Sequence, residues 1–280
     1  MNGDVEVSRD THADEADRLR TVELELVGRF ADASNATLLV RLLDGDAPTL
    51  AELAAALGHE PSLDELDPHH LAVYKPRRGE APLWDFPAGT LHRREVAAFA
   101  VSEALGWGLV PTTVLREDAP LGPGSLQRFV AHDPSLHYFR LLEVGSDAVL
   151  ASLRRMVVFD LVIDNADRKG GHVLLAAGSG QDRPGSVDGT VQLVDHGVSF
   201  NVDRKLRTVA WEFAGEPVPA EVRADVARLA DALAGDLGTR VAGLLSDAEV
   251  EVLRRRAERL VDLAEFPEPW GPRAYPWPPL

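Results

Sequence analysis

Apolar positions along the chain follow two rhythms, and the change from one to the other divides the sequence. Up to about residue 130 a period of two dominates: Glu23–Phe30, Ala36–Leu42, Leu71–Lys75, Val110–Arg116 and Ser125–Val130 each read as a half-buried strand. Two helical stretches interrupt them, Thr49–Leu57 before Gly58 and Leu91–Leu105 before Gly106. Ala31–Asn35 is the turn between the first two strands, and Pro61–His70 reads as loop. From Ser146 a helical period takes over, predicting helices over Asp147–Ile163, Pro219–Leu237, and from the capping box Ser246-Asp247-Ala248-Glu249 to about Ala264. Two short apolar runs among them, Val173–Leu175 and Val191–Val194, read as a strand pair, and Phe266–Leu280, rich in Pro and Trp, as an extended surface segment.

This order, strands first and then helices around a strand pair, is an α+β layout in two lobes. The expected division is a disordered acidic tail over 1–20, a small β-rich lobe over 21–130 and a mainly helical lobe over 131–280, with the join near Phe129 to Asp133. A chain of 280 residues can bury a core of that size. The net charge of −16 argues against nucleic acid and against anionic lipid as general partners, since both are polyanions. Cysteine is absent and no basic-then-apolar leader precedes the first strand, which together lead us to expect a cytoplasmic protein without disulfides. Membrane association is unexpected for the same reasons.

Only three lysines occur, at 75, 169 and 205. Lys75 ends an apolar strand, so its ammonium is expected to project into a cleft. Glu95 follows on a helix whose other face is apolar. Further on, Asp164-Asn165-Ala166-Asp167-Arg168-Lys169-Gly170-Gly171-His172 leads into the first run of the strand pair, and the second run ends in Asp195-His196-Gly197. An acid with a metal-binding side chain five residues on, followed by a strand delivering Asp-X-Gly, is the layout of a phosphotransferase catalytic loop and metal loop. Phosphoryl transfer needs a held triphosphate, charge neutralisation by lysine and metal, and an acceptor hydroxyl beside an acid. Asp167 is the candidate base, Arg168 can restrain a nearby carboxylate or phosphate, and Asp195 is the candidate metal ligand. Each of these alone is ordinary; the ordered set Lys75, Glu95, Asp167, Asp195 is not. Asp164 reads as a surface carboxylate and His196 as a structural histidine.

These segments resemble the phosphatidylinositol 3-/4-kinase-like superfamily, closest to the type II phosphatidylinositol 4-kinase branch and its bacterial relatives, in particular an actinobacterial group. The likeness rests on Val73-Tyr74-Lys75-Pro76, Glu95-Val96-Ala97-Ala98-Phe99, Val110-Pro111-Thr112-Thr113, Gly124–Val130, Asn165-Ala166-Asp167-Arg168 and Val194–Phe200, with Pro82–Pro87 as a marker loop. It implies a bilobal protein-kinase-like fold with ATP in the cleft and Mg²⁺ or Mn²⁺ as cofactor. Lys75 would meet the phosphates, Glu95 would hold Lys75, Asp167 would act as catalytic acid/base and Asp195 would bind the metal. Adenine would lie near Gln127, Phe129 and Val130, and Ala31–Asn35 would cover the phosphates. That turn has no glycine, so the Ser34 hydroxyl and the Asn35 amide are the candidate donors.

His172 stands where the family places Asn. Three readings stay open: a nitrogen ligand favouring Mn²⁺, a hydrogen-bond partner for a phosphate or Asp195, or a mark of lost activity. Arg204, Lys205 and Arg207 follow the metal loop where related lipid kinases recognise their acceptor, and suit an acidic one. The expected acceptor is a soluble protein hydroxyl, including one of its own, or an anionic small molecule such as an inositol derivative; lipid ranks third. The alternatives are a nucleotide-binding regulator with little turnover and a metal-dependent hydrolase built on Asp164, Asp167, His172, Asp195 and His196.

Overall fold

A computed structural model describes residues 13–31, 35–177 and 187–280. They fall into two compact units: the described residues up to Val96 with Pro111–Phe129, and Ala97–Val110 with Val130–Leu280. The α+β class is observed, with the sheet in the first unit and most helices in the second. Ala97–Val110 groups with the second unit because its apolar residues, Phe99, Val101, Leu105 and Leu109 among them, are buried in that unit's core.

The first unit holds one antiparallel sheet, ordered β1 (Glu23–Arg29), β2 (Leu38–Leu43), β3 (Leu71–Pro76), β5 (Gly124–Arg128) and β4 (Thr113–Arg116). Its alternation sorts residues to two faces. Leu38, Val40, Leu42, Ala72, Tyr74, Val114 and Leu126 form one apolar cluster. On the opposite face Leu39 and Leu71 pack with Leu66, Phe129 and the helix α2 (Leu50–Leu57) through Leu50 and Leu53. The loop expected over 61–70 contains two 3₁₀ turns, Leu63–Glu65 and Pro68–His70.

The acidic tail expected to be disordered differs from 13 onwards; residues 1–12 lie outside the described residues. A helix, α1, runs over 13–21. Ala16 and Leu19, three residues apart, point to one side and complete the first sheet cluster, with Leu19 only 1% exposed. Its polar side is tied as well. Glu15 accepts from the Thr112 hydroxyl, Arg18 pairs with Asp44 and donates to the His69 carbonyl, and the Arg116 guanidinium donates to the Leu19 and Val22 carbonyls at the helix end. A short acidic helix is marginal alone; a ready apolar face on the sheet changes the balance.

In the second unit the core gathers the end of α3 (Leu91–Leu105), α5 (Asp147–Ile163), α6 (Ala220–Leu233), α7 (Asp236–Ala242), α8 (Asp247–Leu260) and the hairpin of β6 (Val173–Ala177) with β7 (Gly189–Leu193). A short helix not expected from the pattern, α4 (Tyr138–Val144), precedes α5. The single helix expected over Pro219–Leu237 is two, because Gly235 leaves the helical region (ψ −131°) before α7 begins. Leu233, Leu237 and Val241 stay in the same core, so the apolar period crosses the break unnoticed. Among the described residues no helix is long and apolar enough to cross a membrane.

If α1 is an integral part of the first unit, Leu19→Ala will lower its unfolding free energy by about 2–4 kcal/mol, as for other buried leucines. Urea unfolding followed at a reporter in the sheet checks this; a loss below about 1 kcal/mol would mean that α1 is only loosely attached.

Candidate active site

In the first unit Lys75 lies near the end of β3, opposite Ser125 in the register with β5. Strand geometry places Val73, its partner Gln127, and Leu39 of β2 on the same face as Lys75. The Lys75 ammonium is paired with the Glu95 carboxylate of α3, and Glu95 is nearly dry, its side chain 3% exposed against 20% for Lys75. An anion so enclosed needs a cation or it would take up a proton, so each residue fixes the other. Backbone packing sharpens the placement: a Cβ on Gly124 would stand 2.5 Å from the Lys75 carbonyl oxygen, so only glycine lets β5 close on β3 at this point. The start of α3 is anchored by Glu80, which accepts from the His92 backbone N–H (2.9 Å) and contacts the His92 imidazole (2.6 Å). The buried Arg94 guanidinium lies 5.0 Å from the centre of the Phe86 ring, which gives the Pro82–Pro87 loop a structural task.

The other nucleotide-site candidates of this unit are placed less simply. Ser34 lies outside the described residues. The Asn35 side-chain oxygen accepts from the Ala81 N–H at 2.7 Å, stapling the turn to the segment after β3, so that oxygen already has a partner. Gln127 is buried, its amide donating to the Thr113 hydroxyl at 2.8 Å, and Phe129 packs in the apolar cluster beside Leu39. Val130 belongs to the second unit, where its carbonyl is 2.8 Å from the His132 ring.

The second unit assembles the loop residues on one buried pair. Arg168 has no exposed surface, and its guanidinium grips the equally buried Asp160 of α5 through Nε and Nη2, both at 3.0 Å. Its Nη1 donates to the Val194 carbonyl at 2.7 Å, immediately before Asp195. One side chain thus links α5, the loop that carries Asp167 and the segment leading into Asp195. The carboxylate that Arg168 was expected to restrain is Asp160. The signal for it was an Asp inside the apolar run Val157-Val158-Phe159-Asp160-Leu161-Val162. With no exposure, Arg168 positions the loop rather than touching a reactant.

Around this pair the backbone is woven tightly. Asn165 accepts from the Asp167 N–H at 2.9 Å through its side-chain oxygen, Ala166 donates to the Val198 carbonyl, the Arg168 N–H donates to the Arg207 carbonyl, and the Arg207 N–H donates to the Asn165 carbonyl. Asp164 corrects our expectation: it is buried, 3% exposed, in a left-handed conformation at the end of α5. Its carboxylate accepts from the Lys205 and Leu206 N–H groups at 2.8 and 3.2 Å, and Arg256 of α8 lies 3.4 Å away. Asp164 therefore clips the basic segment to the loop that carries Asp167. His196 is buried edge-on against Phe159 at 5.7 Å, as a packing residue would be. Arg204 and Arg207 are exposed, Arg204 lying 4.0 Å over the Trp270 ring, and Lys205 is half-buried.

Asp167 faces Lys169, whose ammonium is 3.6 Å from its carboxylate. Burial pushes the Asp167 carboxyl up to about 6, with Lys169 opposing the shift and Asp195 adding to it. Asp195 adopts a left-handed φ of 62°, uncommon for a non-glycine residue and a mark of a position held by its surroundings. His172 stands against it, Nε2 to Oδ2 3.4 Å, while the His172 Nδ1 lies 3.4 Å from the Lys169 N–H. Among the described residues no group of three or more His, Asp or Glu side chains is arranged to hold a metal ion on its own. One carboxylate with an imidazole against it is too small a donor set to hold a resident metal.

The chain belongs to the family of Protein Rv2133c of Mycobacterium tuberculosis, to which it is 41% identical over 287 residues covering 91% of this chain and 92% of that one. No protein-family model matches it. Among solved structures it is similar to the Helicobacter pylori proinflammatory kinase CtkA (12% identity, 86% of this chain and 92% of that one, TM-score 0.46). It is similar too to the Golgi casein kinase with Mn/ADP bound (12% identity, 90% and 75%, TM-score 0.49). A third is hydra Fam20 with sugar (14% identity, 94% and 90%, TM-score 0.49).

Two measurements probe this geometry. Arg168→Ala strands the buried Asp160 carboxylate and will cost about 3–5 kcal/mol in urea unfolding, whereas adding Asp160→Ala will cost much less than a second independent loss. Additive losses would show that the two side chains do not act as a pair. For Asp167, a folded carboxyl titrating near 6 binds its proton more tightly than in the unfolded chain, so the wild type loses stability as pH rises from the ordinary carboxylate range to about 6. Asp167→Asn removes that loss: its stability relative to wild type will climb between about pH 4 and pH 6 and stay level above. A difference that does not vary with pH would place the Asp167 carboxyl in ordinary solvent.

Proposed function

We propose that this member of the Rv2133c family is an ATP-dependent phosphotransferase that moves the γ-phosphoryl group of ATP to a hydroxyl of a soluble protein or anionic small molecule. The observation that carries the proposal is the ion pair of Lys75 with the nearly dry Glu95. A carboxylate sealed beside a strand lysine holds a single cation at a fixed point, which is what a bound polyphosphate requires. The sequence segments that resemble the phosphatidylinositol 3-/4-kinase-like superfamily support the same reading, since they run in its order from Lys75 through Glu95 to Asp167 and Asp195.

In this reading Lys75 neutralises the phosphates, and Glu95 keeps its ammonium directed and charged. Gln127, Phe129 and Val130 border the base, with Val73 and Leu39 on the Lys75 face as further apolar contacts. Ser34 and Asn35 lie on the turn over the phosphates. Asp167 orients the acceptor hydroxyl and accepts its proton; a carboxylate titrating near 6 is a better base at neutral pH than an ordinary one and is still ionised there. Arg168, pinned on Asp160, keeps Asp167 and Asp195 in register. Asp195 would hold Mg²⁺ or Mn²⁺, whose role is to neutralise phosphate charge. His172 aims Nε2 at the Asp195 carboxylate, so it serves as that ligand's hydrogen-bond partner and not as a ligand in its own right. Arg204, Lys205 and Arg207 would meet the negative charge of the acceptor.

ADP release from ATP in the presence of Mg²⁺ or Mn²⁺, with label from γ-labelled ATP followed into protein, lipid and metabolite fractions, tests the proposal. Lys75→Met and Asp167→Ala should each lower ADP release by on the order of a hundredfold or more. The rate should rise with pH through about 6 as Asp167 ionises, and His172→Asn should leave the choice between Mg²⁺ and Mn²⁺ unchanged. Nucleotide binding without ADP release would make the chain a regulator instead, and no nucleotide binding at all would end both readings.

A further inference from the structure

The segment after α8 does more than lie along the surface. Trp270 stands edge-on to Trp211 at 5.2 Å and underlies the Arg204 guanidinium. The Ala274 carbonyl accepts from both the Thr208 N–H (3.0 Å) and the Trp211 indole N–H (3.2 Å), so the chain is held along the basic segment and its continuation. It then reaches the catalytic loop. The Pro279 carbonyl accepts from the Gly170 N–H at 2.7 Å, and Leu280 lies so close that a Cβ on Gly170 would meet its Cδ2 at 2.9 Å. Gly170 is three residues after Asp167 and two before His172.

We propose that Trp270–Leu280 is a strap that positions the catalytic loop, and that Leu280 and Gly170 are the positioning residues where it closes. The inference rests on the phosphotransferase reading for its consequence, though not for the contact itself. The earlier half of the loop needs no such help, since Asn165 and Arg168 are bonded to Arg207, Ala166 to Val198, the Asp167 N–H to the Asn165 side chain and the Arg168 guanidinium to Asp160. From Lys169 to His172 the loop is a single 3₁₀ turn with two glycines, and Gly170 spends its N–H on the strap. A Cβ on Gly170 would meet both Leu280 of the strap at 2.9 Å and the Phe139 ring of α4 at 3.0 Å, and two glycines make a turn that is soft unless something rests on it. The hold is graded. Ala274 is fully buried and Pro276 buried, whereas Trp277 is 88% and Leu280 56% exposed, so burial falls off along the strap. A segment held so lightly opens without the rest of the unit unfolding, and the Lys169–His172 turn then loses its Gly170 hydrogen bond to the strap.

The test uses the full chain, a chain ending at Tyr275, and the point variants Leu280→Asp and Leu280→Met. Amide exchange at Gly170 should quicken by on the order of tenfold or more in the shortened chain and in Leu280→Asp, and stay near wild type in Leu280→Met. ADP release at saturating ATP should fall by roughly tenfold to a hundredfold in the same two proteins, with the KM for ATP changed by less than about twofold. A peptide of residues 270–280 supplied in trans should restore both for the shortened chain. Unaltered Gly170 exchange in Leu280→Asp overturns the strap. So does a loss of rate that comes with an equal weakening of ATP binding, since that is what general destabilisation would give. If the wild type releases no ADP the phosphotransferase reading fails by itself, and the exchange measurements still decide whether the strap holds the loop.

Discussion

The Asp160–Arg168 pair is the constraint on which the second unit is organised. Two charges with no exposed surface lie within an apolar helix face, and neither is tolerable without the other. The pair contributes little net stability when intact, because desolvation offsets most of its attraction. What it contributes is specificity. Both carboxylate oxygens and three guanidinium nitrogens are engaged, so α5, the loop around Asp167 and the Val194 carbonyl before Asp195 have one arrangement that satisfies them all. Misplacing any of the three leaves a buried charge unmet, a penalty far larger than the loss of one contact.

The first unit uses the same device in a more exposed setting. Glu95 is sealed and the Lys75 side chain is partly open, so the pair fixes the lysine in a less enclosed setting than that of Arg168. The difference between the two pairs follows function as proposed: the fully buried cation arranges the backbone, and the partly open one faces a ligand. Asp164 repeats the theme at smaller scale. Its buried carboxylate gathers two backbone N–H groups of the basic segment and the Arg256 guanidinium, so the loop that carries Asp167 and the basic segment share one anchor.

What could be read from the sequence was what depends on local pattern. Alternation located the strands to within a few residues, and α3 and α5 match their expected spans because a continuous apolar period runs between clear stops. The apolar pattern also placed Lys75 on a strand and Glu95 on a helix, and the pairing that the family resemblance implied for them is present in the fold. The failures share a cause: each depends on a partner distant in sequence. α1 is acidic and unremarkable until the sheet cluster offers Ala16 and Leu19 a place. Asp164 looks like any loop carboxylate until residues 205 and 206 are folded back upon it. The break at Gly235 was hidden by an apolar period that continues in phase across it.

His172 is where the proposed chemistry departs most from its relatives in motif, and geometry narrows what the change can mean. An Asn at this place offers a carbonyl oxygen, a hard donor suited to Mg²⁺. An imidazole offers one lone pair if neutral, and here Nδ1 faces the Lys169 N–H while Nε2 faces the Asp195 carboxylate. With Nδ1 accepting, the proton resides on Nε2 and is directed at Asp195; this tautomer donates to the carboxylate and cannot at the same time ligate a metal from that side. In the proposed chemistry the substitution would exchange a second metal ligand for a fixed orientation of Asp195. That arrangement asks less of the protein's own donors and more of the phosphates. It agrees with a loop that lacks a three-residue metal cluster among the described residues yet holds Asp195 in a strained left-handed conformation.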